Sequence, residues 1–295
     1  MGAKIYQNKK YIAFFLIPAF VFMLIFLYYP FIQNIINSFQ HIKYMGTAAD
    51  KWNAPFYKNY LEIFKDPKML IALKNTGIMI IATIVGEVGL AIVLSLLVSN
   101  IKKGAGFFRV VYFFPIVISA TALGLLFNLV FLYDKGMINQ LIGVLDAGKN
   151  ELIDWKATHP MFTMLVPVIW QYVGFYFIIL LTGLSGIPED LYEAAEIDGA
   201  SKLQQVRYVT LPLLRNSICT CVVLAVTGAL KVFDLPWTMF VNGMSNTWLT
   251  GTYMYSKVYV DVDYSSAIAV VIVIIGVVLS VVVNQIFKTN DDYDV

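Results

Sequence analysis

The sequence predicts an all-α membrane protein with six transmembrane helices, and three observations carry that expectation. The chain is 59% hydrophobic and only 14% charged, with a mean hydropathy of +0.72 over 295 residues, a composition foreign to water-soluble domains. Apolar runs long enough to cross a bilayer lie at about 11–39, 69–99, 107–132, 161–183, 214–235 and 267–287. One long charged segment, Ile187 to Arg215, interrupts them.

Other classes are excluded early. The net charge of +2 and the lack of a basic stripe with interleaved aromatics argue against nucleic acid, so lipid is the first partner. Cys219 and Cys221 stand two apart in an apolar run, on different helix faces, and read as packing residues rather than metal ligands or a disulfide framework. His41 and His159 are far apart, and Gly183-Leu184-Ser185-Gly186 lacks the spacing of a nucleophile elbow, so no catalytic set is expected.

In chain order, residues 1–10 carry Lys4, Lys9 and Lys10 and are expected to be cytoplasmic. The run that follows is too long for a secretory signal, and bulky Tyr28-Tyr29-Pro30-Phe31 offers no cleavage site, so it reads as an uncleaved first span. The loop at 40–69 bears Trp52, Tyr57 and Tyr60 and lies outside, as an interfacial aromatic belt or as a partner contact. In the second span Glu87 sits among Gly77, Gly86 and Gly89; an acid there is either functional or paired inside a bundle.

Lys102, Lys103 and Arg109 place the next short loop inside. Pro115 breaks the third span, and its missing hydrogen bond favours a cavity wall. Asp134, Lys135, Asp146, Lys149, Glu151 and Asp154 mark a second outer loop. The fourth span is unusually polar, with Trp170, Gln171, Tyr172, Tyr176 and Thr182 beside Pro167 and Gly174. In the fifth, Lys231 and Asp234 stand three apart and are expected to pair on one helix face. Residues 236–266 form the last outer loop; Asp261, Asp263 and Tyr264 lead into the sixth span, and 288–295, with Asp291, Asp292 and Asp294, reads as a solvated cytoplasmic tail.

The charged segment reads as helix, Gly turn, helix. Pro188 suits a first helical position, and Glu189 and Asp190 suit the positive end of the helix dipole. Gly199 ends that helix, and Ser201 with Gln204 has capping-box spacing for a second; Pro212 marks the turn toward the next span. Small Ala194, Ala195 and Ala200 beside Glu193, Glu196, Asp198 and Arg207 make a docking surface for another protein.

The order Glu193-Ala194-Ala195, Asp198-Gly199-Ala200, Leu211-Pro212 resembles the cytoplasmic EAA loop of permease subunits in ATP-binding-cassette importers, most nearly the maltose-type carbohydrate importers. Gly136-Met137-Ile138-Asn139 and Thr252-Tyr253-Met254-Tyr255 extend the resemblance over nearly the whole chain. Val206, Arg215 and the stretch Val241-Asn242-Gly243-Met244 depart from it.

The resemblance implies a type I ABC importer permease fold and a coupling loop at 187–213 that fits a cleft on the ATPase. Its implied coupling residues are Glu193, Ala194, Ala195, Asp198, Gly199, Ala200, Arg207, Leu211 and Pro212. It implies a heterodimer with a second, homologous permease, two ATPase subunits holding ATP and Mg, an extracellular solute-binding protein and a sugar cargo moved by alternating access across a bacterial inner membrane. The chain itself has no phosphate-binding Gly-x-x-x-x-Gly-Lys loop, so it is expected to bind no cofactor or metal.

By position relative to the loop, the resemblance places Gln171, Tyr172, Phe175, Gly228 and Ala229 on the substrate pathway. Chemistry adds Trp170, Tyr176, Thr227 and Lys231, because sugars need aromatic faces and hydrogen-bonding groups. The alternative is a stand-alone secondary carrier, for which Glu87 would be the candidate ion ligand.

Overall fold

A computed structural model describes residues 9–101, 103–145, 152–240 and 246–288. Lys4, Lys102, the Asp146, Lys149 and Glu151 group, Val241–Met244 and the 291–294 acidic tail therefore lie outside the described residues.

Among the described residues, five helices are long and apolar enough to cross a bilayer: Ile12–Asn37, Pro67–Ser99, Pro160–Ser185, Arg215–Met239 and Val262–Phe287. The third apolar run, read as one kinked helix, is instead two, Ala105–Val117 and Ala120–Val130, bent by 96°; counted as one broken crossing they make six. Pro115 sits inside the first of these helices, and the break falls after it, where Ile118 and Ser119 are extended. The Ser119 hydroxyl accepts the Ala122 amide and starts the second piece. A similar correction applies to the fifth span. Its helix stops at Lys231 and a new one runs Asp234–Met239, so Lys231 and Asp234 do not share a helix face, and no ion pair joins them among the described residues.

The chain divides into two compact units. One comprises the residues up to Asp66 with Met254–Val271. In it Gln40–His41 pairs antiparallel with Lys51–Trp52, and a short helix, Lys58–Ile63, follows. Its interior is mixed: Ile63 and Ile268 are fully buried, and beside them the buried Asn59 amide donates to the Ser38 carbonyl at 3.0 Å and to Asp263 at 3.1 Å, while Ser38 meets the Tyr60 hydroxyl at 2.7 Å. Burial, with Asp263 close by, raises the Asp261 carboxyl above the usual carboxylate range. Ile12–Asn37 buries none of its apolar window, a surface suited to lipid or another membrane helix.

The other unit, Pro67–Tyr253 with the residues from Ile272 on, holds the remaining spans. Its core is Phe177, Leu180, Ala91, Cys221 and Ala225 toward one end, and Met79, Leu123, Met164 and Leu249 toward the other. The loops at that end are pinned by side-chain amides. Asn139 donates to the Tyr133 and Ile153 carbonyls, both at 2.9 Å, and accepts the Trp155 indole; Asn75 donates to the Asn246 and Trp248 carbonyls at 2.8 and 3.0 Å. Lys156 is lowered from its ordinary pKa chiefly by burial, which nearby Asp154 opposes. At the opposite end, the Arg215 guanidinium donates to the Ile286 and Lys288 carbonyls and satisfies the open end of the last span.

Two glycines show what the packing demands. A Cβ on Gly174 would lie 1.7 Å from the Tyr112 carbonyl oxygen, so the fourth span touches the third backbone to backbone; a Cβ on Gly77 would meet nothing within 4 Å. Gly174→Ala should therefore destabilise the solubilised chain by about 3 kcal/mol, while Gly77→Ala leaves it unchanged or firmer by about 0.5–1 kcal/mol. Thermal unfolding midpoints in detergent test this; equal midpoints for the two variants would contradict the close approach.

Candidate functional site: a cavity and an exposed loop

The fourth span is the element that connects the two features of interest. It carries the polar cluster at its middle and runs directly into the charged loop.

The middle of the second unit holds a cavity of about 230 Å³. Six of the nine residues expected on a substrate pathway line it: Gln171, Tyr172, Tyr176, Gly228, Ala229 and Lys231. The other three do not. Trp170 points away, 41% exposed and edge-on to Phe127 at 5.7 Å, because it is one residue out of register with the inward face. Phe175 stacks edge-on against Tyr176 at 5.4 Å. The Thr227 hydroxyl donates back to the Val223 carbonyl at 2.9 Å, the usual way a hydroxyl is satisfied inside a helix.

Glu87 and Asp234 also line the cavity, though neither was expected there. The sequence marked Glu87 as costly in lipid but not where it points; that depends on a π-helical turn, Ile84–Gly89, which no residue pattern announces. The turn packs tightly, since a Cβ on Gly86 would stand 2.6 Å from Ile169 Cδ1. Glu87 is 2% exposed and lies within hydrogen-bonding reach of the Tyr176 hydroxyl. Gln171 uses its amide on the Ile118 carbonyl at 3.3 Å, at the break in the third span, which faces the cavity through Ala120. Aromatic faces and hydrogen-bonding groups thus share one small space, able to hold a polar solute with apolar patches.

The loop folds as helix Glu189–Ile197, a turn, and helix Lys202–Gln205. Pro188 is the residue before the first helix rather than its first member, since its backbone is extended. Gly199 turns the chain at φ +80°, a conformation that side chains resist. The Ser201 hydroxyl accepts the Gln204 amide hydrogen and the Gln204 side chain accepts the Ser201 amide, a complete capping box. Pro212 does not turn the chain: it sits in a helical turn, Leu211–Leu213, that a π-helical turn at Val206–Thr210 joins to the helix before it.

Of the loop residues, Glu193, Ala194, Asp198, Gly199, Arg207 and Pro212 are exposed, while Ala195, Ala200 and Leu211 are half-buried. The Ala200 amide donates to the Ala195 carbonyl at 2.9 Å, and Arg207 lies over the Tyr208 ring. Ile197 is 86% and Leu203 79% exposed, apolar side chains that the sequence reading passed over. The loop is anchored beneath by Tyr192 and Thr210, whose hydroxyls meet at 3.1 Å, and by Gln205, which donates to the Ala200 carbonyl. Its underside is fixed and its outer side is open.

Residues 88–291 match the family described as binding-protein-dependent transport system inner membrane component. The chain is 32% identical to the probable ABC transporter permease YurN of Bacillus subtilis, with 97% of this chain and 99% of that protein covered. It is 31% identical to the multiple sugar-binding transport system permease MsmF of Streptococcus mutans, covering 92% and 93%. It is 30% identical to the arabinooligosaccharides transport permease AraP of Halalkalibacterium halodurans, covering 97% and 90%. The fold matches a chain of a bacterial ABC transporter that imports the acidic polysaccharide alginate, with a TM-score of 0.81 at 19% identity over 98% of this chain and 99% of that one.

The local geometry makes one prediction. Ser201→Ala removes half of the capping box and should cost the second loop helix about 1 kcal/mol, a roughly fivefold faster amide exchange there. Hydrogen exchange of the solubilised protein would show it; unchanged exchange at Lys202–Gln205 would mean that the box does not hold the helix.

Proposed function

This chain belongs to the binding-protein-dependent transport system inner membrane components: it is a multi-pass membrane permease subunit of an ABC importer, not an enzyme. We propose that it forms half of a sugar pathway, paired with a second, homologous permease, two ATPase subunits and an extracellular solute-binding protein. Both termini and the loop at 187–213 lie on the cytoplasmic side in this reading, and nucleotide and Mg stay on the ATPase.

The observation that carries the proposal is the continuity of one helix. Pro160–Ser185 presents Gln171, Tyr172 and Tyr176 to the cavity and leads within four residues to the exposed loop helix Glu189–Ile197. Movement of that loop by a partner is transmitted to the cavity wall along a stiff rod. Closure of the ATPases on ATP would push the surface formed by Glu193, Ala194, Ala195, Asp198, Gly199 and Ala200 and rock the spans, opening the cavity outward; hydrolysis would reset it. Arg207, Leu211 and Pro212 would carry the push into the fifth span.

A sugar suits the cavity for chemical reasons. Tyr172 and Tyr176 offer ring faces and hydroxyls, Gln171 an amide, Lys231 an ammonium, and Gly228 and Ala229 leave room. At about 230 Å³ it falls below the roughly 300–1,000 Å³ typical of complete small-molecule sites, as one wall of a shared path would. The names of AraP and MsmF support the same cargo class.

Co-purification with the partners, then binding-protein-stimulated ATPase activity, tests the proposal. Glu193→Ala should weaken stimulation at least several-fold, and Gly199→Pro, which cannot adopt positive φ, should abolish it while the membrane part stays folded. Full stimulation in both variants would sink the coupling role of the loop.

A further inference from the structure

A second cleft lies within the other unit, the one made of the residues up to Asp66 with Met254–Val271. It holds about 590 Å³ and shares no lining residue with the cavity. Three pieces of chain wall it: the end of the first span from Tyr29 to Asn37, the turn from Gln40 to Ala49, and the residues from Val258 to Ser266 that enter the last span. Hydrogen bonds hold these walls together. The Ile42 carbonyl accepts the Val262 and Asp263 amides at 3.1 and 3.2 Å, the Asn34 side chain donates to the Ser266 carbonyl at 3.4 Å, and Asn53 donates to the Gln40 carbonyl at 3.0 Å. The shape of the cleft is set in advance.

Its chemistry is polar without charge. No Asp, Glu, Lys, Arg or His is among its lining residues. The Thr47 and Ser265 hydroxyls are spent on the Tyr44 and Met254 carbonyls. Gln33, Asn37 and Gln40 make no side-chain hydrogen bond among the described residues, and neither does the hydroxyl of Ser266, a residue only 4% exposed. Buried hydroxyls are nearly always matched, so this one is directed at whatever enters the cleft. Tyr29, 64% exposed, adds an aromatic face.

We propose that this cleft is an outer subsite for a neutral saccharide, additional to the cavity. It rests on the sugar reading above, which also puts the far end of the first span outside. Side-chain amides and hydroxyls both donate and accept, as the hydroxyls of a sugar do, so the two surfaces are complementary. A phosphate or carboxylate would leave water for a wall without a cation, and an ammonium for one without an anion, each at a cost. The volume lies within the roughly 300–1,000 Å³ of small-molecule sites.

The test is cysteine protection in the assembled importer in proteoliposomes, with Cys219 and Cys221 replaced by serine. Ala48→Cys puts a thiol on the cleft wall. Its labelling by a membrane-impermeant maleimide is timed with and without maltotriose, raffinose or arabinotriose at tens of millimolar. At least one of these neutral sugars should slow labelling several-fold, and trigalacturonate should not. Ser266→Ala and Asn37→Leu should each lose that protection while keeping the sugar-free rate. Protection by no sugar, equal protection by trigalacturonate, or protection that survives both variants overturns the inference. A separate arm adds sugar-free binding protein; labelling blocked by it, with sugars having no effect of their own, makes the cleft a protein contact and overturns the inference too. Ala120→Cys on the cavity wall, labelled while a non-hydrolysable ATP analogue holds the ATPases closed, separates the two readings. Sugar protection there but not at Ala48→Cys overturns the outer subsite alone, whereas protection at neither overturns the sugar reading with it.

Discussion

The contact between Gly174 and the Tyr112 carbonyl is the constraint on which the rest of the structure depends. With no side chain between them, the fourth span lies directly on the third, and that proximity fixes the rotation of Pro160–Ser185 about its axis. Rotation decides which side chains reach the cavity. It turns Gln171, Tyr172 and Tyr176 inward, leaves Trp170 at the margin, and sets the direction in which the chain leaves toward the loop at 187–213. Gly86 gives the second span a close seat too, against the Ile169 side chain rather than against backbone. Small residues at helix contacts are how membrane bundles gain close packing where burial of apolar surface offers little.

The same solvent explains the polar details. Inside a bilayer an unsatisfied polar group has no water to turn to, so hydroxyls bond back to their own helix, as Thr83, Ser95 and Thr182 do. Amides at the span ends bind loop carbonyls, as Asn75 and Asn139 do, and Arg215 closes the end of the last span. Against that background the cavity is the exception. Tyr172, Lys231, Asp234 and Glu87 are gathered there with more hydrogen-bonding capacity than the protein itself uses, the condition for binding a polar solute.

Much of this was legible in the sequence, for identifiable reasons. The six apolar runs follow from composition, and the loop from chain punctuation: Gly199 takes positive φ, and Ser201 with Gln204 forms the capping box that their spacing implies. What was not legible depends on contacts. Pro115 marks a weak point in residues 105–130, but nothing in the pattern gives the 96° bend or its place at Ile118 and Ser119. Lys231 and Asp234 are spaced as helical neighbours, yet the helix ends between them. Glu87 was visible as an anomaly, but its inward direction comes from a π-helical turn that lies outside the 3.6-residue period on which sequence patterns rest. Trp170, Phe175 and Thr227 were selected by residue type, and the structure sets them off the cavity wall.

The central claim is that the docking loop and the cavity move as one through the fourth span. The most direct measurement is the labelling of Tyr172→Cys by a membrane-impermeant thiol reagent applied from the outer face of proteoliposomes. The assembled importer would carry Cys219 and Cys221 replaced by serine. The account predicts labelling when a non-hydrolysable ATP analogue holds the ATPases closed, and protection without it. Equal labelling in both states, or labelling that ignores a Gly199→Pro loop, would contradict it.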